Sequence, residues 1–349
     1  MDKLTGRIAR INSPCDILSI KLHPIWAVAL IAGSRLNSHM KESRSNRPRL
    51  LVLGGVTASG KTSASLRLAR FLPVEIVSAD SVSVYKGLDI GSAKPSIEQQ
   101  RAVRHHLLDV VTPDEAMTAA IYGSLAQEAI TDIISRDKYP VLVGGTGLYI
   151  RTVLHGLVEA PNADKDLRNH LRQRESALGH GTLHEELSRV DPVTAERLHP
   201  SDLVRIVRAL EVYINTGKTI SVLQKSHRFR EKRYDVSYYA FDPGVEVLHR
   251  RIAARVEEML EKGLIEEALG LLELGYSPSL RSLSTPGYRQ AFEVLAGRMT
   301  LDEAFESICR DHRRYARRQR VWFRSVEGAV HLPGPDHVDY AAVAGWMQS

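Results

Sequence analysis

Leu50-Leu51-Val52-Leu53-Gly54-Gly55-Val56-Thr57-Ala58-Ser59-Gly60-Lys61-Thr62 sets an apolar run directly before a glycine-framed loop that ends in Lys-Thr. Ser65-Leu66-Arg67-Leu68-Ala69-Arg70 follows with helix-forming residues. This order predicts a buried strand, a phosphate-binding loop and a helix. In such a loop successive backbone N–H groups turn toward a polyphosphate, and the helix N-terminus adds its dipole. Lys61 then reaches the outer phosphates, and the Thr62 hydroxyl is offered to Mg²⁺. Gly55 and Gly60 let the backbone come that close. The blander reading, a glycine-rich turn with a surface lysine, fits neither the strand before the loop nor the helix after it.

Outward from this loop, short aliphatic runs at 75–78, 141–143 and 236–241 alternate with helical sequence such as 122–136. That alternation predicts an α/β fold: a P-loop parallel sheet flanked by helices, with ligands at the carboxyl ends of the strands. Residues 49–157 read as the first part of this core. Beyond Pro161 the strand signal gives way to charged helical stretches at 164–175, 183–190, 192–198 and 202–215. Residues 158–222 are therefore expected to form a small helical insertion. Residues 223–335 return to the core, with amphipathic helices at 245–261 and 264–274.

The chain has 349 residues, 43% hydrophobic and 25% charged, enough for one large core and a second small one. Its net charge of +6 fits a polyanionic partner but is weak evidence alone. Cys15 and Cys309 are far apart and lack histidines at ligand spacing, so neither a disulfide framework nor a zinc finger is supported. A reducing cytoplasm is the expected compartment. Residues 1–45 differ from the rest: the apolar stretch 20–32 is interrupted by Lys21 and His23 and is too short to span a bilayer. An organellar transit segment or weak signal peptide is one reading. The preferred one is an unstructured or misassigned extension, with Met40 as a natural start before the polar 41–48.

Asp80 closes the second strand run and so falls on the same sheet edge as the phosphate loop, where a carboxylate can accept a proton or orient Mg²⁺. A helix N-cap is the alternative, but the loop runs on as Val84-Tyr85-Lys86-Gly87-Leu88-Asp89-Ile90-Gly91-Ser92-Ala93-Lys94-Pro95, too long for a plain cap. The third strand ends in Gly144-Gly145-Thr146, with no Asp where a P-loop ATPase would place one. Its glycines are read as room for a ligand, and the absence points away from hydrolytic NTPases and toward group transfer. The pair His105-His106 lacks a third ligand at useful spacing, which favours core or turn roles over a metal. Near the end, Arg310, Arg313, Arg314, Arg317, Arg318, Arg320 and Arg324 fall largely on helical i, i+3, i+4 positions, with Tyr315, Trp322 and Phe323 interleaved. Such a stripe is either a solvated face or a grip on nucleic-acid phosphates. Arg168, Arg172, Arg174, Arg205 and Arg208 add basic residues in the insertion.

Together these motifs resemble the bacterial-type tRNA dimethylallyltransferases. The resemblance rests on the phosphate loop, on Ser78-Ala79-Asp80-Ser81 and on the run from Val84 to Pro95. It continues through Gly144-Gly145-Thr146-Gly147-Leu148-Tyr149, Asp191-Pro192-Val193-Thr194-Ala195, Thr216-Gly217-Lys218, Gly287-Tyr288-Arg289-Gln290 and Arg317-Arg318-Gln319-Arg320-Val321-Trp322-Phe323. It implies transfer of a dimethylallyl group from dimethylallyl diphosphate to N6 of the adenosine just 3′ of the anticodon in tRNA. By the same resemblance Asp80 is the general base, and Gly55, Thr57, Ala58, Ser59, Gly60, Lys61, Thr62 and Arg255 hold the diphosphate. Thr62 meets Mg²⁺, the implied cofactor, and Asp80, Thr62 and Arg255 form the catalytic set. Asp80, Ser81, Val82, Ser83, Thr146, Arg168, Val204, Arg205, Ile206, Val207 and Arg208 match tRNA-contacting positions. A monomer with no membrane partner is expected. Val56 stands where the family usually has Pro, and Val82-Ser83 replace a commoner Met-Gln pair. An adenylate isopentenyltransferase, a small-molecule kinase and a non-catalytic RNA-binding module are the rival readings.

Overall fold

The computed structural model describes residues 47–158, 160–227 and 232–349, so the expectations for residues 1–45 lie outside the described residues. Six strands form one parallel sheet: β1 (Arg49–Gly55), β2 (Val74–Ser78), β3 (His105–His106), β4 (Tyr139–Gly144), β5 (Asp235–Phe241) and β6 (Val330–Leu332), in the order β3-β2-β4-β1-β5-β6. Leu50, Leu51, Val52 and Leu53 of β1 are all buried, as a parallel sheet covered on both faces demands. This is why the strand reads as a continuous apolar run rather than an alternating one. Leu51 lies opposite Val141 of β4, and Leu53 lies opposite Tyr239 of β5.

Because β4 lies between β2 and β1, the carboxyl ends of these three strands are neighbours. The loops carrying Lys61, Asp80 and Thr146 therefore converge, although long stretches of chain separate them. The helices Lys61–Leu68, Ala119–Ser135, Gly147–His155, Val245–Glu261, Leu264–Glu273, Tyr288–Leu295 and Leu301–Arg324 surround the sheet. Val52, Val77, Leu142, Tyr122, Ile130, Ile252, Val256 and Ile308 belong to one apolar core. The short edge strands β3 and β6 were not expected. Two or three residues are too few to show a period of two, and their pairing is set by the neighbouring strand.

Helices Lys165–Leu178, Thr182–Val190, Pro192–Ala195 and Leu203–Thr216 have a second apolar cluster that includes Leu171, Leu183, Leu187, Ile206, Val207 and Leu210. Asp164 and Asp202 start two of these helices, accepting from the backbone N–H of Leu167 and Arg205. A further helix, Ile220–His227, was missed by the sequence reading because it carries no fully buried residue. Fully buried Glu211 accepts from Arg168 at 2.8 Å, from Arg208, and from the backbone N–H of Asp164 at 2.7 Å. Burial alone would raise its pKa, but these donors outweigh it and hold the carboxyl ionised.

Candidate active site

A cleft of about 570 Å³ opens at the carboxyl ends of β1, β4 and β2, and its walls include Lys61, Thr62, Asp80, Arg255, Tyr315 and Gln319. The loop between β1 and the helix Lys61–Leu68 forms its floor. Gly55 has φ +135°, and a Cβ there would stand 2.4 Å from the carbonyl oxygen of Phe241, so only glycine lets the loop leave the sheet here. Gly60, at φ +95°, turns the chain into the helix. Thr57, Ala58, Ser59 and Gly60 all line the cleft.

The Lys61 ammonium donates to the carbonyl oxygens of Gly55 at 3.1 Å and Val56 at 2.6 Å. Burial and the nearby Arg255 guanidinium lower its pKa to about 7, against an opposing pull from the Asp80 carboxylate. Arg255 reaches in from the helix Val245–Glu261, donating to Thr57 Oγ1 at 3.1 Å and to the Ser92 carbonyl at 3.2 Å. Its Nε is buried without a partner, as is Ser59 Oγ. Two cations and unspent buried donors around one cavity suit a polyanion, which would restore the missing interactions.

Asp80 sits at the end of β2, where its Oδ1 accepts from the backbone N–H of Val82 at 2.8 Å and Ser83 at 3.2 Å. These bonds fix the carboxylate's direction; they close a turn at 81–84, so the helix N-cap weighed as the alternative is not what Asp80 does. Thr146 Oγ1 accepts from the Ser81 N–H at 3.1 Å, joining the loops after β2 and β4. Burial, helped by the Asp80 charge, pushes the Tyr315 phenol up to about 12. It therefore stays a neutral donor and acceptor beside Thr146 and Gln319.

Gln319 is a residue whose place the sequence did not reveal. It is 5% exposed, accepts from the Thr57 N–H at 2.8 Å and donates to the Gly145 carbonyl at 2.9 Å. An amide on the buried face of an otherwise arginine-rich helix was the available signal. Gly144 and Gly145, read as room for a ligand, do line the cleft, but they also let the chain's own groups come close. A Cβ at Gly144 would lie 2.1 Å from the Ala79 carbonyl oxygen, and one at Gly145 would lie 2.3 Å from Gln319 Nε2.

The arginine stripe divides in two. Arg320 makes a bidentate pair with Asp242 at 2.6 and 2.8 Å, and Arg324 lies 3.8 Å from the same carboxylate. Arg317 and Arg318 face solvent, and Arg318 stacks over Tyr315. Phe323 is core, and Trp322 packs against Gly147 and under Arg151, so these two aromatics serve packing. In the helical unit Val204 and Arg205 are exposed, whereas Ile206 and Val207 are buried. The side chains of Ile206 and Val207 fill the cluster around Leu171, so any contact that they make with RNA is through the backbone. Arg168 and Arg208 end on Glu211, which leaves their remaining edges half-exposed.

His105 and His106 lie in β3, a sheet edge rather than a core or turn. His105 Nδ1 is 2.7 Å from the Val103 carbonyl, and His106 Nε2 is 2.7 Å from Glu75. Among the described residues no three His, Cys, Asp or Glu side chains gather as a metal cage. Mg²⁺ needs none where phosphates complete its shell, since it commonly takes one or two protein oxygens and keeps several waters. The Thr62 hydroxyl and the Asp80 carboxylate on this cleft fit that mode.

A strand-end loop of the P-loop type with a carboxylate across the cleft is an arrangement suited to group transfer from a phosphorylated donor. The family model described as IPP transferase matches residues 83–326. The tRNA dimethylallyltransferase 1 of Syntrophotalea carbinolica is 47% identical over 82% of this chain and 91% of that protein. The tRNA dimethylallyltransferase of Geobacter sulfurreducens is 47% identical over 86% and 96%. Among solved structures, the full-length tRNA isopentenylpyrophosphate transferase from Bacillus halodurans is 35% identical, with a TM-score of 0.62 over 86% of this chain and 97% of that one. The chain belongs to the IPP transferase family, a family of prenyltransferases. Among the described residues no helix is long and apolar enough to cross a membrane.

Proposed function

We propose that this protein transfers a dimethylallyl group from dimethylallyl diphosphate to N6 of the adenosine 3′-adjacent to the anticodon in tRNA, releasing diphosphate. The observation that carries the reading is the meeting of Lys61, Arg255 and Asp80 on one cleft in a member of this family. Lys61, Arg255 and the N–H groups of residues 57–62 bind the diphosphate, and Ser59 Oγ gains the partner it lacks. Mg²⁺, held beside Thr62, would supply further charge neutralisation of the leaving diphosphate. The N6 nitrogen forms a bond to C1 of the dimethylallyl group as the C1–O bond breaks. Its electron pair leaves with the diphosphate, and Asp80 takes the proton from nitrogen. The hydrogen bonds from Val82 and Ser83 aim that carboxylate.

The target base must leave its stack to reach the cleft. Exposed Arg317, Arg318, Val204 and Arg205, with the outer edges of Arg168 and Arg208, are proposed to grip the anticodon arm while Ser81 and Thr146 meet the extruded nucleotide. A monomer acting in the cytoplasm, where tRNA is found, is part of this proposal. The test is incubation with labelled dimethylallyl diphosphate and an unmodified anticodon stem-loop, in parallel with AMP and ATP. Transfer to the stem-loop and little to free nucleotide is expected. Comparable kcat/KM for AMP would move the assignment to an adenylate isopentenyltransferase, and ATP turnover without transfer would move it to a kinase.

A further inference from the structure

Loop 89–92 reaches the cleft at Ser92 and contains no residue that the reaction uses directly. Its course is set from behind. The Glu267 carboxylate, on the helix Leu264–Glu273, accepts from three successive backbone N–H groups: Asp89 at 3.0 Å, Ile90 at 2.9 Å and Gly91 at 3.1 Å. The Tyr288 hydroxyl donates to the same carboxylate. Tyr288 is fully buried, and a Cβ at Gly91 would fall 2.4 Å from its ring, so the loop is pressed onto the aromatic face. Successive N–H groups curled around one anion form a nest of the kind that binds phosphate, here filled by the protein's own carboxylate. The residue after the nest, Ser92, presents its carbonyl to Arg255 at 3.2 Å. Arg255 in turn holds Thr57 of the phosphate loop at 3.1 Å.

We propose that Glu267 and Tyr288 are positioning residues for the diphosphate site, acting through loop 89–92 on the Arg255 guanidinium. The proposal rests on the reading of this cleft as a prenyl diphosphate site. Neither residue lines the cleft, so neither touches the substrate. Buried Tyr288 is held un-ionised by burial and by the Glu267 charge, which keeps it a donor. A carboxylate is required at 267 because every group facing it is a donor. An amide of the same shape would turn N–H against N–H. The far end of the loop is held separately, by Lys94 on the Tyr85 carbonyl, Asp89 and Asp109, so loss of the clamp shifts the loop without releasing it.

The experiment compares the wild-type chain with Glu267→Gln and Tyr288→Phe, measuring KM for dimethylallyl diphosphate and for tRNA, kcat, the Kd of inorganic pyrophosphate, and the melting temperature. Glu267→Gln should raise KM for the prenyl diphosphate and Kd for pyrophosphate by about tenfold, leaving KM for tRNA within about twofold. Tyr288→Phe, which keeps the ring and the three N–H bonds, should give a smaller change of the same kind and covers the case in which Glu267→Gln does not fold. In an Arg255→Lys background Glu267→Gln should add little, since both act through one guanidinium. A lowered melting temperature with unchanged pyrophosphate affinity in both variants would overturn the proposal. Wild-type protein that binds pyrophosphate but transfers no prenyl group would instead overturn the functional reading, while the pyrophosphate comparison still tests the clamp.

Discussion

Arg255 and Lys61 share one cleft, and burial together with the guanidinium's charge brings the lysine's pKa down to about 7. The free protein thus keeps two cations ready for an anion while the second is close to losing its proton. A bound diphosphate favours the ammonium form, so binding above pH 7 should draw in a proton. The affinity should fall by at most tenfold for each pH unit above the Lys61 pKa. Calorimetry of pyrophosphate binding in buffers of different ionisation enthalpy measures this uptake. Between about pH 7 and 10.5 the unfolded chain holds the proton that folded Lys61 has lost, so this group's contribution makes the free protein more stable as pH rises. Affinity that does not change from pH 7 to 9, once the ionisation of pyrophosphate itself is allowed for, would show that Lys61 keeps its proton or does not meet the anion.

Asp80→Asn retains an oxygen that can accept from Val82 and Ser83, so the loop after β2 should keep its course. The proton acceptor is lost, together with the negative charge that holds up the Lys61 pKa. A fall in kcat of roughly 10²- to 10⁴-fold with nearly unchanged KM values is expected for a general base. Unchanged kcat with weakened tRNA binding would make Asp80 a positioning group.

Gln319→Ala leaves the Thr57 N–H and the Gly145 carbonyl without their partner in a buried setting. A stability loss of roughly 2 to 4 kcal/mol is expected from two stranded polar groups. Denaturant unfolding measures it. KM for the prenyl diphosphate should rise as well, because Thr57 is the residue that Arg255 holds. Loss of stability with no change in KM would confine Gln319 to packing.

The arginines of the last long helix should separate by partner. Arg317→Gln and Arg318→Gln should weaken tRNA binding and shallow its salt dependence, by up to about 0.7 to 0.9 log units per lost phosphate contact. Arg320→Gln should leave the slope nearly unchanged and lower the melting temperature, since Arg320 is spent on Asp242. Equal salt slopes for all three variants and the wild type would return the whole stripe to a solvated face.

Much of this was legible in the sequence because it is local. The run Leu50 to Thr62 contains its own instructions: aliphatic residues that need cover on both faces, glycines where a side chain would collide, and a lysine and hydroxyl at the helix start. Asp80 was legible for the same reason, since a strand run ends just before it. Strands β3 and β6 were not legible, because they are shorter than any periodic signal. The boundaries of the longer strands missed by at most two residues, as their ends depend on the neighbours they pair with.

The sequence by itself determined a P-loop α/β chain of group-transfer type, since strand, loop and helix signals act within a few residues of one another. Only the tertiary structure decided which charges are available and what the second glycine pair is for. Arg320 and Asp242 are far apart in the chain yet form one bidentate pair, and Arg168 and Arg208 end on a carboxylate that is hidden inside the helical unit. Gly144 and Gly145 turned out to admit Ala79 and Gln319. An arginine's freedom to meet RNA, or a glycine's to leave space, depends on what folding brings against it, and residue type carries no record of that distant partner.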